Sequence, residues 1–285
     1  MNHIVEYLKS MKKLLLILVV IAHAGFLVPK KITWVAVGDS ITWLNEHIDD
    51  ADHRITKGYL TLVKEKMPQL SYYNLGYSGW TSGNIADSIE KLPLKKADLY
   101  TIFLGTNDWW KGRPVGTLAD YMHNTGNHTV YGSFRIIINK LRSLNSNARI
   151  ILITPMQRGD FVWIKSGKNN AWGSYKEKNG QSLASFAEAI NKIGEYERLD
   201  VVDLYHKSGI TLDKMVKYKR LKNPQTGDYQ NYPYPDYIGI PFNPETDDYP
   251  YPRDAIGLTY DGLHPSDKGF TIIADMILKV LKKYY

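Results

Sequence analysis

Short apolar runs typical of buried strands alternate with longer amphipathic segments, and this alternation constrains the fold more than any other feature of the chain. The apolar runs that predict β-strands cover residues 32–37, 71–75, 99–104, 150–153 and 199–204. The segments that predict helices cover residues 59–67, 83–92, 130–144, 181–196 and 267–283. Strands that alternate with helices favour a parallel sheet covered on both faces. We therefore predict an α/β protein, a three-layer α/β/α sandwich of flavodoxin-like type around a five-stranded parallel sheet.

The composition excludes several classes of protein. The chain has 285 residues, of which 44% are hydrophobic and 23% charged, as expected for one large globular domain. It contains no cysteine, which excludes disulfides, thiolate metal sites and cysteine nucleophiles. The formal net charge is +7, but the basic residues are spread along the chain, so we expect no nucleic-acid partner.

The N-terminal region has the pattern of a bacterial secretory signal peptide. Met11-Lys12-Lys13 precedes an apolar run over residues 14–28, and Ala22-His23-Ala24 supplies a site of small residues for cleavage. This pattern predicts a signal peptide over residues 1–24 and a secreted or periplasmic domain over residues 25–285, with either Met1 or Met11 as the start. An uncleaved membrane anchor is the alternative, although the run is shorter than the roughly 20 residues that span a bilayer. After cleavage we expect no stable membrane span.

Two segments interrupt the alternation. Residues 160–178 are polar and rich in Gly, Asn and Lys, which predicts a surface excursion. Residues 223–254 hold seven of the 13 prolines and six tyrosines, which predicts a long ordered insertion. Composition does not separate an insertion that covers the fold from one that contacts a substrate.

Small and polar residues follow the predicted strands, where parallel α/β sheets bind their ligands. Ser40 follows the first strand, Gly76 the second and Asn107 the third, while Asp261 and His264 precede the last helix. A serine hydroxyl becomes a nucleophile when a base takes its proton, and histidine is suited to that task at neutral pH. An aspartate three residues before the histidine can reach its other ring nitrogen within one turn. The pattern therefore indicates a serine nucleophile, Ser40, with His264 as base and Asp261 as its partner.

The segments around Ser40, Gly76 and Asn107 and the segment from Asp261 to His264 form four sequence blocks. In this order, over residues 33–280, they resemble the blocks of the SGNH (GDSL) hydrolase family. The resemblance implies a serine esterase that forms an acyl-Ser40 intermediate and needs no cofactor or metal. It also implies an oxyanion hole made by the backbone N–H groups of Ser40 and Gly76 and the side-chain amide of Asn107.

Each block also has a structural interpretation. Ser40 could cap a helix, Asp261 and His264 could lie at the start of the last helix, and Asn107 could belong to an ordinary turn. We interpret Asp39 and Asp108 as structural residues that hold the loops at the strand ends.

Other polar and aromatic residues near the blocks leave two interpretations open. His47 and His53 have metal-ligand chemistry, but their spacing favours a polar loop rim. Trp80, Trp109 and Trp110 either wall the substrate site or fill the space beneath the loops.

The preferred function is an exported carbohydrate O-acetyl esterase, because the Tyr-rich insertion suits a sugar face. A lipase or lysophospholipase is the alternative within the family, and a non-catalytic carbohydrate-binding relative is the alternative outside enzymes. The expected partner is a small-molecule or polysaccharide ester, and the sequence leaves the oligomeric state open.

Overall fold

The computed structural model describes residues 3–7, 11 and 31–285, and one unit extends from Ile32 to Tyr285. Residues 3–7 are helical and exposed to solvent. Most of the predicted signal peptide, including the cleavage site, lies outside the described residues. Within the described ranges no helix is both long and apolar enough to cross a membrane.

Five parallel strands form the central sheet, as the alternating pattern predicts. They are β1 (Ile32–Gly38), β2 (Leu70–Gly76), β3 (Leu99–Phe103), β4 (Arg149–Ile153) and β7 (Asp200–Val202). Their spatial order is β2-β1-β3-β4-β7, and every neighbouring pair is parallel. The predicted α/β sandwich with a five-stranded parallel sheet is therefore confirmed.

Helices cover both faces of the sheet and enclose two separate cores. In chain order the helices are α1 (Ser40–Trp43), α2 (Tyr59–Lys66), α3 (Ser82–Ser88), α4 (Thr106–Trp110), α5 (Leu118–Met122), α6 (Val130–Leu144), α7 (Leu183–Glu197), α8 (Leu204–Lys207), α9 (Leu212–Met215) and α10 (Asp267–Leu281). Side chains of α2 and α10 form one core, and those of α3, α6 and α7 form the other. Strand β1 serves both, because Trp34 packs into the first core and Val35 into the second. Successive side chains of one buried strand thus hold the three layers together.

Two small antiparallel sheets lie outside the central one. Strands β5 (Phe161–Val162) and β6 (Asn170–Ala171) form a short hairpin, and β8 (Lys219–Lys222) pairs with β9 (Tyr229–Tyr232). The hairpin lies within the segment predicted as a polar surface excursion, yet Phe161, Val162 and Ala171 are buried. The prediction of a surface excursion was wrong for these residues, because three apolar side chains within the polar stretch are enough to bury part of the hairpin.

The Tyr/Pro-rich insertion over residues 223–254 has a small core of its own. Tyr237 and Tyr251 are buried in it, together with Val216 and Leu221 from the preceding segment. Tyr249 donates a hydrogen bond to the carbonyl of Val162 at 3.0 Å, which ties the insertion to the β5/β6 hairpin. The insertion is therefore ordered by burial of its tyrosine rings.

The register of the sheet gathers the strand ends at one edge. Gly38, the last residue of β1, pairs with Gly76 of β2 on one side and Phe103 of β3 on the other. The residues that follow Gly38, Gly76 and Phe103 therefore begin at the same edge of the sheet. A Cβ on Gly76 would stand 2.2 Å from the backbone nitrogen of Trp43, so only glycine lets β2 approach α1 this closely.

Candidate active site

Ser40 is placed by a helix that begins directly after β1. The side chain of Asp39 accepts a hydrogen bond from the N–H of Ile41 at 3.0 Å and caps α1. Ser40 is the first residue of that helix, so its own N–H has no acceptor within the helix. The local sequence thus holds the Ser40 side chain at the sheet edge and leaves a backbone donor beside it.

One carboxylate organises the turn that carries the histidine. Asp261 Oδ1 accepts hydrogen bonds from the N–H groups of Leu263 at 3.0 Å and His264 at 2.7 Å. Asp261 Oδ2 lies 2.7 Å from His264 Nδ1, and His264 Nε2 lies 2.9 Å from Ser40 Oγ. Asp261 and His264 are both buried, so water competes little for these contacts. The structure brings the three predicted catalytic side chains into one hydrogen-bonded chain.

The turn between Asp261 and His264 is pressed against the β5/β6 region. Gly262 has φ of +87°, and a Cβ there would stand 1.8 Å from the carbonyl oxygen of Asp160. The N–H of Gly159 donates to the carbonyl of Gly262 at 2.7 Å. Phe161 packs edge-on against the His264 ring with centroids 5.4 Å apart. Backbone hydrogen bonding and ring packing therefore restrain the imidazole beyond its contact with Asp261.

A second Asp-x-x-His pair lies at the end of β7. His206 Nδ1 is 3.0 Å from Asp203 Oδ1, but the His206 side chain is 41% exposed and Ser40 is not among its contacts. Asp203 also caps α8 by accepting the N–H of His206. In this second pair the Asp-x-x-His motif only caps a helix. What distinguishes Asp261 and His264 is their contact with Ser40.

Asn107 lies beside Ser40 on the wall of the same cavity. It is part of α4, directly after β3, and its side-chain amide donates to the carbonyl of Trp80 at 2.9 Å. An amide nitrogen carries two hydrogens, so a second N–H remains for a ligand. This agrees with the position that the sequence predicts for a donor to an oxyanion.

Gly76 does not occupy the position that the sequence analysis gave it. Its N–H donates to Asn74 Oδ1 at 2.8 Å, and the residue does not line the cavity. Gly79 does line the cavity, and its N–H has no hydrogen-bond partner among the described residues. The structure thus makes Gly76 a packing residue and offers Gly79, three residues later in a turn, as the backbone donor.

Two buried carboxyl groups support the loops without lining the cavity. Burial raises the pKa of Asp39 from 3.8 to about 6, although the cap hydrogen bond from Ile41 and the nearby His264 act in the opposite direction. Burial also raises the pKa of Asp108, and hydrogen bonds from the N–H and hydroxyl of Ser82 oppose that shift. Both side chains hold strand-end loops, which agrees with their interpretation as structural residues.

A buried cation lies behind the catalytic turn. Arg158 is 1% exposed, and its guanidinium stands 5.5 Å from the Trp109 ring and 5.4 Å from the Trp110 ring. Burial lowers the pKa of Arg158 to about 10, and attraction to Asp261 opposes that change. The guanidinium therefore stays charged at neutral pH and places a buried positive charge near Asp261. No motif in the sequence indicated this residue.

The cavity in front of Ser40 has a volume of about 420 Å³ and mixed aromatic and polar walls. Its aromatic walls are Trp43, Phe161, Trp163 and Tyr260. Trp163 is 42% exposed and belongs to the loop that joins β5 to β6. Lys165 of that loop forms a 2.6 Å ion pair with Asp50, which also accepts a hydrogen bond from Trp43 Nε1 at 3.2 Å. The loop is thus tied to the opposite rim of the cavity.

None of the tryptophans chosen from the sequence lines this cavity. Trp109 is buried and donates from Nε1 to the carbonyl of Gln181, and Trp80 stacks on Tyr77 with centroids 4.4 Å apart. No described residue of the 223–254 insertion lines it either. The walls come from residues that no motif marked, although Tyr260 and Trp43 lie close to motif residues along the chain.

The predicted loop rim around His47 is held by local contacts. The His47 ring stacks on Trp43 with centroids 3.4 Å apart, and His47 Nδ1 lies 3.0 Å from the Trp43 carbonyl oxygen. Over the described part of the chain, no three His, Asp or Glu side chains are grouped so as to hold a metal ion.

Comparisons with known proteins give a family and solved structures of the same fold. The model of the GDSL-like lipase/acylhydrolase family matches residues 36–272. The crystal structure of a possible lipase from Chitinophaga pinensis is 61% identical, has a TM-score of 0.87 and covers 88% of this chain and 98% of its own. A crystal structure from Lactobacillus plantarum shares the fold, with 19% identity, a TM-score of 0.60 and coverage of 90% and 99%. No curated protein matches the chain.

The hydrogen-bonded chain predicts how ester hydrolysis responds to substitution. We expect Ser40→Ala or His264→Ala to lower kcat on p-nitrophenyl acetate on the order of 10⁶-fold, as when a full triad is broken. We expect Asp261→Asn to lower kcat roughly 10⁴-fold, because the imidazole remains but loses its orientation and charge partner. Steady-state kinetics of the purified variants measure both effects.

Asp203→Asn is the matched control, because it changes the acid of the other Asp-x-x-His pair and should leave kcat unchanged. Ser40→Ala with more than a tenth of the activity of the unaltered enzyme would show that Ser40 is not the nucleophile.

The raised pKa of Asp39 predicts a pH-dependent stability. Between about pH 4 and 6 the folded protein binds a proton at Asp39 that the unfolded chain releases, so this group makes the free energy of unfolding fall as pH rises. Asp39→Asn keeps a capping side chain and removes the titration. From pH 4 to 7 the unfolding free energy of the unaltered protein should therefore fall by about 2 kcal/mol relative to the variant. Urea denaturation at several pH values measures this, and a constant difference would contradict it.

Proposed function

Since the chain belongs to the GDSL-like lipase/acylhydrolase family, the SGNH hydrolases, which hydrolyse carboxylic esters, we propose that its substrate is an O-acetylated carbohydrate. The nucleophile of this proposal is Ser40, with His264 as base and Asp261 as the partner of the imidazolium. The observation that carries it is the contact of 2.9 Å between His264 Nε2 and Ser40 Oγ, next to a cavity with an exposed tryptophan.

The geometry supports a two-step acyl transfer. His264 Nε2 takes the proton of Ser40 Oγ as the oxygen attacks the ester carbonyl, and the N–H groups of Ser40, Gly79 and Asn107 stabilise the oxyanion. Collapse of this intermediate breaks the bond to the alcohol, which leaves with the proton from His264, and Ser40 keeps the acyl group. A water molecule then gives its proton to His264 and attacks the acyl carbonyl, which frees the acid and restores Ser40. Asp261 stabilises the imidazolium in both steps.

The cavity walls favour a sugar over a long acyl chain. Trp163 offers a broad apolar face that is open to solvent, and such faces suit the C–H side of a sugar ring. Asp50, Ser78 and Asn169 place polar groups around the same space for sugar hydroxyls. Among the described lining residues only Leu44 and Leu263 are aliphatic, whereas a lipase needs an extended apolar wall. The aligned triad counts against a purely carbohydrate-binding relative, because binding requires no activated serine.

Substitution of Trp163 tests the substrate class. Trp163→Ala should lower kcat/KM on an acetylated xylo-oligosaccharide about tenfold, because the sugar loses its apolar platform. Turnover of p-nitrophenyl acetate should change less than twofold, since that ester has no sugar to place there. Tyr73→Ala is the control, because Tyr73 is similarly exposed on β2 and does not line the cavity.

Equal losses of activity on both substrates would mean that Trp163 only supports the loop. A preference of the unaltered enzyme for octanoate over acetate esters would favour the lipase alternative and contradict the proposal.

Export is also part of the proposal, and its support is the basic and apolar pattern of residues 11–28 together with Ala22 and Ala24. N-terminal sequencing of the protein recovered from its producing cells should give a first residue near Gly25. A mature protein that still begins at Met1 or Met11 would contradict cleavage.

A further inference from the structure

A second cavity lies next to the active-site cavity and shares a wall with it. Its volume is about 340 Å³, within the range of cavities that hold small ligands. Phe161, which packs against His264, lines both cavities. The β5/β6 hairpin therefore separates the two spaces, and a chain-like ligand that crosses its edge would reach both. The walls of the second cavity include Trp110, Phe161, Lys178, Lys219, Ile240 and Phe242.

The Tyr/Pro-rich insertion contributes to this cavity and not to the first. Ile240 and Phe242 belong to the insertion, and both pack against its small core. The insertion is held in place by its buried tyrosines and by the hydrogen bond from Tyr249 to Val162. It thus contributes an apolar wall that is in place in the absence of a ligand.

The two lysines that line this cavity differ in their partners. Lys219 is buried and paired with Asp160 at 3.0 Å, so that carboxylate is neutralised. The ammonium of Lys178 instead lies over two indole rings, 4.4 Å from the centroid of Trp110 and 4.7 Å from that of Trp172. No carboxylate among the described residues pairs with Lys178. The cavity therefore keeps one positive charge without an anion.

The position of Lys178 is fixed by backbone contacts. Its N–H donates to the carbonyl of Gln181 at 2.9 Å, and the N–H of Gln181 donates back at 3.0 Å. Gln181 is in turn bonded by its carbonyl to Trp109 Nε1 of the buried core. Lys176 adds a second ammonium 4.7 Å from the Trp172 ring. Lys176 and Lys178 thus place two ammonium groups near the Trp172 ring from one hydrogen-bonded turn.

We propose that the second cavity binds a sugar residue that carries a carboxylate, such as a uronic acid, on the same carbohydrate whose ester lies at Ser40. This inference rests on the proposed function. The apolar wall from Ile240 and Phe242 suits the C–H face of a sugar ring, and the Lys178 ammonium supplies a charge-assisted hydrogen bond to its carboxylate. A fatty acyl chain would leave that ammonium without an anion, and a neutral sugar would use only the walls.

Binding measurements without turnover test the inference directly. The Ser40→Ala protein is titrated calorimetrically with two deacetylated xylo-oligosaccharides, one with a glucuronic acid branch and one without. We expect the acidic oligosaccharide to bind at least fivefold more tightly, and Lys178→Gln in the same background to remove that preference. Lys178→Glu should reverse the preference. Lys192→Gln, which removes the charge of an exposed lysine on α7, is the matched control and should leave it unchanged.

Equal binding of the two oligosaccharides, or a preference that survives Lys178→Gln, would overturn the inference. Measurements of deacetylation distinguish failure of the acidic-sugar site from failure of the proposed esterase function. If the acidic oligosaccharide binds through Lys178 but the unaltered enzyme removes no acetyl group from its acetylated form, the acidic-sugar site stands and the acetyl-esterase proposal is wrong.

Discussion

The structure of the active site depends on the carboxylate of Asp261. One oxygen accepts two backbone N–H groups and closes the turn, and the other lies 2.7 Å from His264 Nδ1. These hydrogen bonds stabilise the turn, and in this shape the imidazole faces Ser40. Asp261 is buried, so water competes little for these hydrogen bonds, and Phe161 packs against the imidazole that it holds. Local folding and orientation of the base are thus produced by the same group.

Much of the fold and of the site could be predicted from the sequence because the signals are local. Alternating periodicity marks each strand of a buried parallel sheet, and residues at the carboxyl ends of such strands must meet at one edge. Ser40 and Asn107 are close together for that reason, and the loop before α10 brings Asp261 and His264 to the same edge. The motif alone was not sufficient, since Asp203 and His206 repeat it at another strand end without a serine. What separates the two pairs is tertiary contact.

The parts that sequence reasoning missed depend on contacts between distant segments. Gly76 was expected to donate to an oxyanion, but its N–H is taken by Asn74 and the N–H left for a ligand is that of Gly79. The turn between Gly76 and Gly79 determines which backbone N–H faces the cavity, and the direction of that turn does not follow from residue type. Trp163 lies in a polar stretch, and only the pairing of β5 with β6 places it at the cavity. Tyr237 and Tyr251 of the insertion are buried for the same kind of reason, since packing of their rings with Val162 and Val216 holds that segment together.

The central claim is that Ser40 forms the covalent intermediate, and active-site labelling tests it most directly. The unaltered protein is treated with a serine-directed phosphonate, and the adduct is counted and located by intact-mass and peptide mass spectrometry. We predict one phosphonate per chain, on Ser40, in parallel with the loss of esterase activity. An adduct on a different residue, or full loss of activity with Ser40 unmodified, would contradict the account.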